Sequence, residues 1–85
     1  MNPPTGTFAV NATLSALVIL QRDYDAMRAL REKTEPSLPK YDSIERRLGG
    51  MRRQATKLID QLGDAIEARY RQDETTAWKR AFGLV

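Results

Sequence analysis

The sequence predicts an all-α chain: a long antiparallel helical hairpin, with helices over about 10–33 and 41–71, and a short C-terminal helix over about 75–83. Three observations lead there. Apolar residues recur at spacings of three and four through both long segments, a proline-bracketed stretch separates those segments, and nothing alternates with period two over a strand's length.

The opening heptapeptide MNPPTGT holds two prolines and a glycine and reads as a flexible N-terminal arm (1–7), leaving 8–85 as a single helical domain. Helical signals begin at Phe8 or Asn11, with Asn11 or Thr13 as candidate N-cap, and continue to Lys33. Val10, Leu14, Leu17, Leu20, Tyr24, Met27 and Leu30 mark the apolar stripe. In TEPSLPK (34–40), Pro36 and Pro39 force the residues before them into extended conformations, making a short, stiff turn. Helix 2 carries the clearest period: Tyr41, Ile44, Leu48, Met51, Ala55, Leu58, Leu62 and Ala65 form a heptad seam of coiled-coil type. Ile59 and Ile66 widen it, and Asp42 or Ser43 is placed to cap its start. The third helix has Asp73 or Thr75 as cap and Lys79 and Arg80 near its end, as the helix dipole favours. Trp78 and Phe82, four apart, share a face.

A hairpin of this kind sets Tyr24 near Met51, Leu17 near Leu58 and Val10 near Ala65. That seam uses one face of helix 1. The stretch ATLSALVIL (12–20) is apolar nearly all round, so it calls for a second cover, either the C-terminal helix of the same chain or a second chain.

Composition excludes several chemistries. The chain has 85 residues, a size at which one core is only marginally self-sufficient. It has no cysteine, so no disulfide and no thiolate, and no histidine, the commonest base and metal ligand near neutral pH. Ser15, Ser37 and Ser43 have no partner base, and LGG is too little for a phosphate loop. Asp60 and Asp64 share a helix face without a third ligand, the pattern of a solvated surface. The chain is therefore expected to be no enzyme and to use no metal or cofactor. The uncharged run from Phe8 to Leu20 is shorter than the about 20 residues that span a bilayer, and no basic residue precedes Arg22 as a signal peptide requires. The expected location is the cytoplasm, or export without a cleaved signal.

Two features stand out as candidate contact surfaces. In RRLGGMRR (46–53), Arg46, Arg47, Arg52 and Arg53 flank Gly49 and Gly50 inside a helix where each glycine costs about 1 kcal/mol. Gly49, Thr56 and Gly63 recur every seven residues and, with Gly50, suggest a groove for close helix approach. The local alternative pairs the arginines with Asp23 and Asp25 across the hairpin. Charge is also polarised: residues 40–57 carry six basic and two acidic groups, whereas residues 58–77 carry five acidic and two basic ones.

The Pro36-Ser37-Leu38-Pro39 turn between two helices resembles the proline-bracketed turn of type III secretion needle subunits. The resemblance covers the layout and that turn, not the helix sequences, and the Gly49-Gly50 pair has no counterpart in it. Small paired-helix secretion co-chaperones and phage-encoded helical inhibitors or virion components share the same layout. The expected role is a non-enzymatic protein–protein interaction or assembly module acting by helix packing, with a protein partner or a homo-oligomer. Its predicted partner surface joins Val18, Ile19, Trp78 and Phe82 to the four arginines. The alternative is a dimeric helical hairpin that binds nucleic acid through a basic ridge of Arg46, Arg47, Arg52, Arg53 and Lys57.

Overall fold

A computed structural model describes the backbone of residues 5–85 and the side chains of residues 10–85. Three helices follow one another: α1 (Thr5–Glu32), α2 (Pro39–Ala65) and α3 (Ala68–Ala81). The all-α hairpin with a short C-terminal helix is the architecture. Residues 1–4 of the expected arm lie outside the described residues, and α1 already includes Thr5 to Thr7. Asn11 and Thr13 therefore sit inside the helix, not at its cap.

The turn works through its prolines. Leu38 holds an extended φ/ψ of −85° and 142°, and Pro39 opens α2 at the first helical position, where its missing N–H costs nothing. This moves the start of α2 ahead of Asp42 and Ser43, which cap nothing. On the other side, the Thr34 hydroxyl donates to the Leu30 carbonyl at 2.7 Å, satisfying one of the acceptors that the end of α1 leaves free. The hairpin register follows from two contacts: Arg31 Nη1 meets Glu45 Oε1 at 2.9 Å, and Arg52 Nη1 donates to the Tyr24 hydroxyl at 3.4 Å. This is within one residue of the pairing expected from the seam.

The buried stripe of α2 departs from the heptad. Ile44, Leu48, Ala55, Ile59 and Leu62 are buried, while the heptad positions Leu58 and Ala65 are only half-buried. Among the buried residues of α2 an eleven-residue spacing recurs, from Ile44 to Ala55 and from Leu48 to Ile59. Eleven residues in three turns lie close to the natural pitch of a straight α-helix.

Helix 2 was expected to reach Arg71 and helix 3 to begin near Thr75. The chain instead breaks at Ile66 (φ −99°, ψ 161°) and Glu67 (φ −62°, ψ 142°), both extended, and α3 starts at Ala68. No glycine or proline marks this corner. In a continuous helix the Gly63 carbonyl would accept from the N–H of Glu67; here Arg71 Nε donates to it at 2.6 Å. The far end of α3 closes as a Schellman motif. Gly83 takes φ 68°, its N–H donates to Arg80 O at 3.1 Å, and Leu84 N–H donates to Lys79 O at 2.8 Å.

The corner turns α3 back along α2 and carries Phe82 into the core beside Leu17, Leu20, Tyr24, Leu48, Ala55, Ile59 and Leu62. Phe82 is 0% exposed and its ring lies 5.3 Å from that of Tyr24. Replacing Phe82 by Ala is expected to lower stability by about 3–5 kcal/mol, whereas Val85→Ala should change it by less than about 0.5 kcal/mol. Urea unfolding followed by circular dichroism at 222 nm measures both.

Candidate functional site

Helix α3 covers one side of the hairpin only. A Cβ on Gly63 would lie 3.4 Å from Thr75 Cγ2 and 3.6 Å from Arg71 Cγ, so this glycine sits directly beneath α3. At the open end, Val10, Leu14, Leu62 and Ile66 form a shallow apolar groove of about 270 Å³ with Tyr70 and Glu74 of α3. These contacts define the covered side. With about 100° of rotation per residue, the opposite side of the hairpin carries Ala16, Ile19, Met27 and Leu30 from α1 and Met51, Gln54 and Leu58 from α2. Ile19 is 59% and Leu30 39% exposed there, and Ala16, Met27, Met51 and Leu58 are half-buried at its floor.

The predicted partner residues divide among three places. Ile19 lies on this open side; Val18, one residue earlier and 49% exposed, points about 100° away along the outer flank of α1. Phe82 belongs to the core and presents no surface to a partner. Trp78 is partly buried over that core, 6.4 Å from the Phe82 ring. The expected joining of Val18, Ile19, Trp78 and Phe82 in one patch does not occur: Phe82 is buried, Trp78 is half-buried over the core, and Val18 and Ile19 point to different sides of α1.

The arginines divide likewise. Arg52 is held at the hairpin by Tyr24, whose hydroxyl donates in turn to the Phe82 carbonyl at 3.1 Å. Arg46, Arg47 and Arg53 are exposed, as is Lys57. Neither Asp23 nor Asp25 reaches them. The ion pairs among the described residues are Arg31–Glu45 and the exposed Arg69–Glu67. The hydrogen bond that Arg31 donates to Glu45, with the carboxylate's charge, holds the Arg31 guanidinium pKa above its ordinary value. Gly49 and Gly50 face the guanidinium of Arg53, 3.7 and 3.8 Å from where their Cβ atoms would stand. The Thr56 hydroxyl donates back to Arg52 O at 2.9 Å. Of the proposed groove Gly49–Gly50–Thr56–Gly63, the Gly63 end is occupied by α3 of the same chain.

A second, polar cleft of about 440 Å³ opens between α2 and α3 and is lined by Asp60, Asp64, Arg71, Thr75 and Lys79. Its charges balance, and Arg71 is engaged at the corner. Among the described residues no cluster of carboxylates suited to a metal ion occurs, and no helix is long and apolar enough to cross a membrane.

Comparison of the chain with protein-family models, with curated proteins and with solved structures found no match.

Sequence reasoning missed Tyr24 as the hub that joins α1, α2 and α3. Its position in the apolar stripe and its hydroxyl were visible, but its two partners come from residues 28 and 58 positions away. Tyr24→Phe removes the hydrogen bond to the Phe82 carbonyl and is expected to cost about 1 kcal/mol. Faster amide exchange confined to α3 would show that the loss acts through its docking.

Proposed function

We propose that the chain is a non-enzymatic interaction module that works by helix–helix packing on a protein surface. The observation that carries this reading is the open side of the hairpin, where Ile19 and Leu30 stand exposed above half-buried Met27, Met51 and Leu58. The overall dimensions support it. The chain measures 55 × 25 × 15 Å with a radius of gyration of 15.3 Å, against about 12 Å for a compact domain of this length. Its accessible surface of 6189 Å² exceeds by roughly 1,000 Å² the value of about 5,100 Å² for a compact monomer of this mass. Such a plate leaves apolar area that packing within the chain does not remove from water.

The test uses cells that naturally carry the chain. A sizing column run on fresh extract should place it in an assembly well above its own 9.7 kDa, and the double substitution Val18→Glu with Ile19→Glu should return it to monomer size. Both residues are exposed, so helicity should be unchanged. A wild-type chain that runs as a free monomer in extract would overturn this reading.

The nucleic-acid reading keeps one specific support: Arg46, Arg53 and Lys57 share one exposed stripe of α2. The carboxylates Asp60 and Asp64 continue that same stripe. If the helix-packing reading holds, a gel shift with duplex or single-stranded DNA or RNA at 50 mM salt should show no complex below micromolar protein. A complex that weakens steeply with salt would favour the basic ridge instead.

A further inference from the structure

We infer that the corner at Ile66 and Glu67 is a hinge, and that α2 and α3 exchange between the docked form and one continuous helix from Pro39 to Ala81. In that second form α3 swings away with Phe82 and leaves the hairpin open on that side. This goes beyond the helix-packing reading and does not depend on it, since Ile19 and Leu30 lie on the other side.

Three observations carry the inference. The first is the charge at the helix ends. An acidic side chain in the first turn and a basic one in the last suit the helix dipole. α1 ends with Arg31, α2 begins with Asp42, and α3 ends with Lys79 and Arg80, so each of these ends follows the rule. The two ends that meet at the corner break it. The last turn of α2 holds Asp64 and no basic residue, and the first turn of α3 holds Arg69 and Arg71 and no acidic one. Glu67 stands at the N-cap, yet its carboxylate accepts from Arg69 Nε at 2.9 Å and caps nothing. The charges are placed as for one helix that starts at Pro39 and stops at the turn of Gly83. In that helix Glu67 and Arg71 share a face at a spacing of four with the acid first, the favourable order.

The second observation is the backbone. A continuous helix gives the carbonyls of Gly63, Asp64, Ala65 and Ile66 the N–H groups of Glu67, Ala68, Arg69 and Tyr70. Among the described residues of the docked form, no backbone hydrogen bond makes these links. Tyr70 N–H donates to Glu67 O at 3.0 Å, and Arg71 Nε stands in for the missing donor at Gly63 O. Ala65, Glu67, Ala68, Arg69 and Arg71 around the corner are good helix formers. Moving ψ of Ile66 and Glu67 from 161° and 142° into the helical range is all that the local chain requires.

The third is where α3 is anchored. None of its own residues is fully buried. Its hold lies just beyond its end, in the 0% exposed Phe82 and in the Tyr24 hydroxyl that donates to the Phe82 carbonyl at 3.1 Å. Trp78, Ala81 and Leu84 pack around that point. α3 is thus a strap fastened at its tip: the corner favours the straight form and the seat of Phe82 favours the docked one. Burial of Phe82 keeps the docked form dominant in the wild type, and loosening that one contact shifts the balance.

The test reads the distance between spin labels at Lys57→Cys and Arg80→Cys, both exposed positions in a chain without cysteine. In the docked form Thr75 lies over Gly63 and Lys79 lines the same cleft as Asp60, so the labels should lie within about 20 Å. In the continuous helix, a rise of about 1.5 Å per residue places them about 35 Å apart. The wild type should show the short distance. Phe82→Ala should add a narrow population near 35 Å with helicity at 222 nm retained, and the milder release Phe82→Leu a smaller one. Glu67→Pro, added to either, should abolish the long distance and leave the short one. Proline fits φ −62° at that position, while its ring and missing N–H bar the corner from a helix interior.

A long population that survives Glu67→Pro would overturn the hinge. So would release variants whose distances stay short, or spread broadly as α3 loses its helicity. If Phe82→Ala unfolds the whole chain, the distances in Phe82→Leu decide by the same criteria.

Discussion

The contact on which the rest of the structure depends is the seating of Phe82 against Tyr24. An α1–α2 hairpin alone would leave Leu17, Tyr24 and Ile59 open to water on one side, and a chain of 85 residues has little else with which to cover them. Phe82 closes that side, and the Tyr24 hydroxyl fixes the closure by donating to the Phe82 carbonyl while accepting from Arg52. Both the break at Ile66 and Glu67 and the Schellman end at Gly83 serve this placement. The first reverses the chain, and the second turns Leu84 onto the core.

That closure also determines what is left over. Phe82 and Trp78 are the largest apolar side chains of α3, and both face inward over one side of the hairpin. On the other side Ile19 and Leu30 stay exposed above half-buried Met27, Met51 and Leu58. The interaction reading thus follows from the same accounting that explains the core.

The sequence made the hairpin legible because its signals are local and repeated: spacings of three and four, and two prolines around a four-residue turn. The register was legible too, to within one residue, since a short turn between long helices leaves little freedom. The corner at Ile66 was not. No residue there disfavours a helix strongly, and the break is stabilised from elsewhere, by Arg71 reaching Gly63 and by Phe82 reaching Tyr24. Tertiary contacts overrode a local preference, which single-chain periodicity cannot register. The same blindness misplaced Phe82. Its four-residue spacing from Trp78 showed that the two share a face, but not whether that face looks in or out. Ile19 was readable as surplus, because no single seam accommodates both it and Leu17.

The eleven-residue repeat of α2 has a geometric consequence of its own. A strict heptad seam drifts around a straight helix, and a pair built on it must wind like the strands of a rope. With Ile44 and Ala55 in line, the two helices wind more gently than a heptad pair and in the opposite, right-handed sense, and the pair keeps a front and a back over most of its length. An insertion or deletion of a single residue in α2 would rotate everything beyond it by about 100° and turn part of the front to the back. Length changes in this helix are tolerated only in steps that restore the alignment, which makes its length as much a part of the design as its apolar residues.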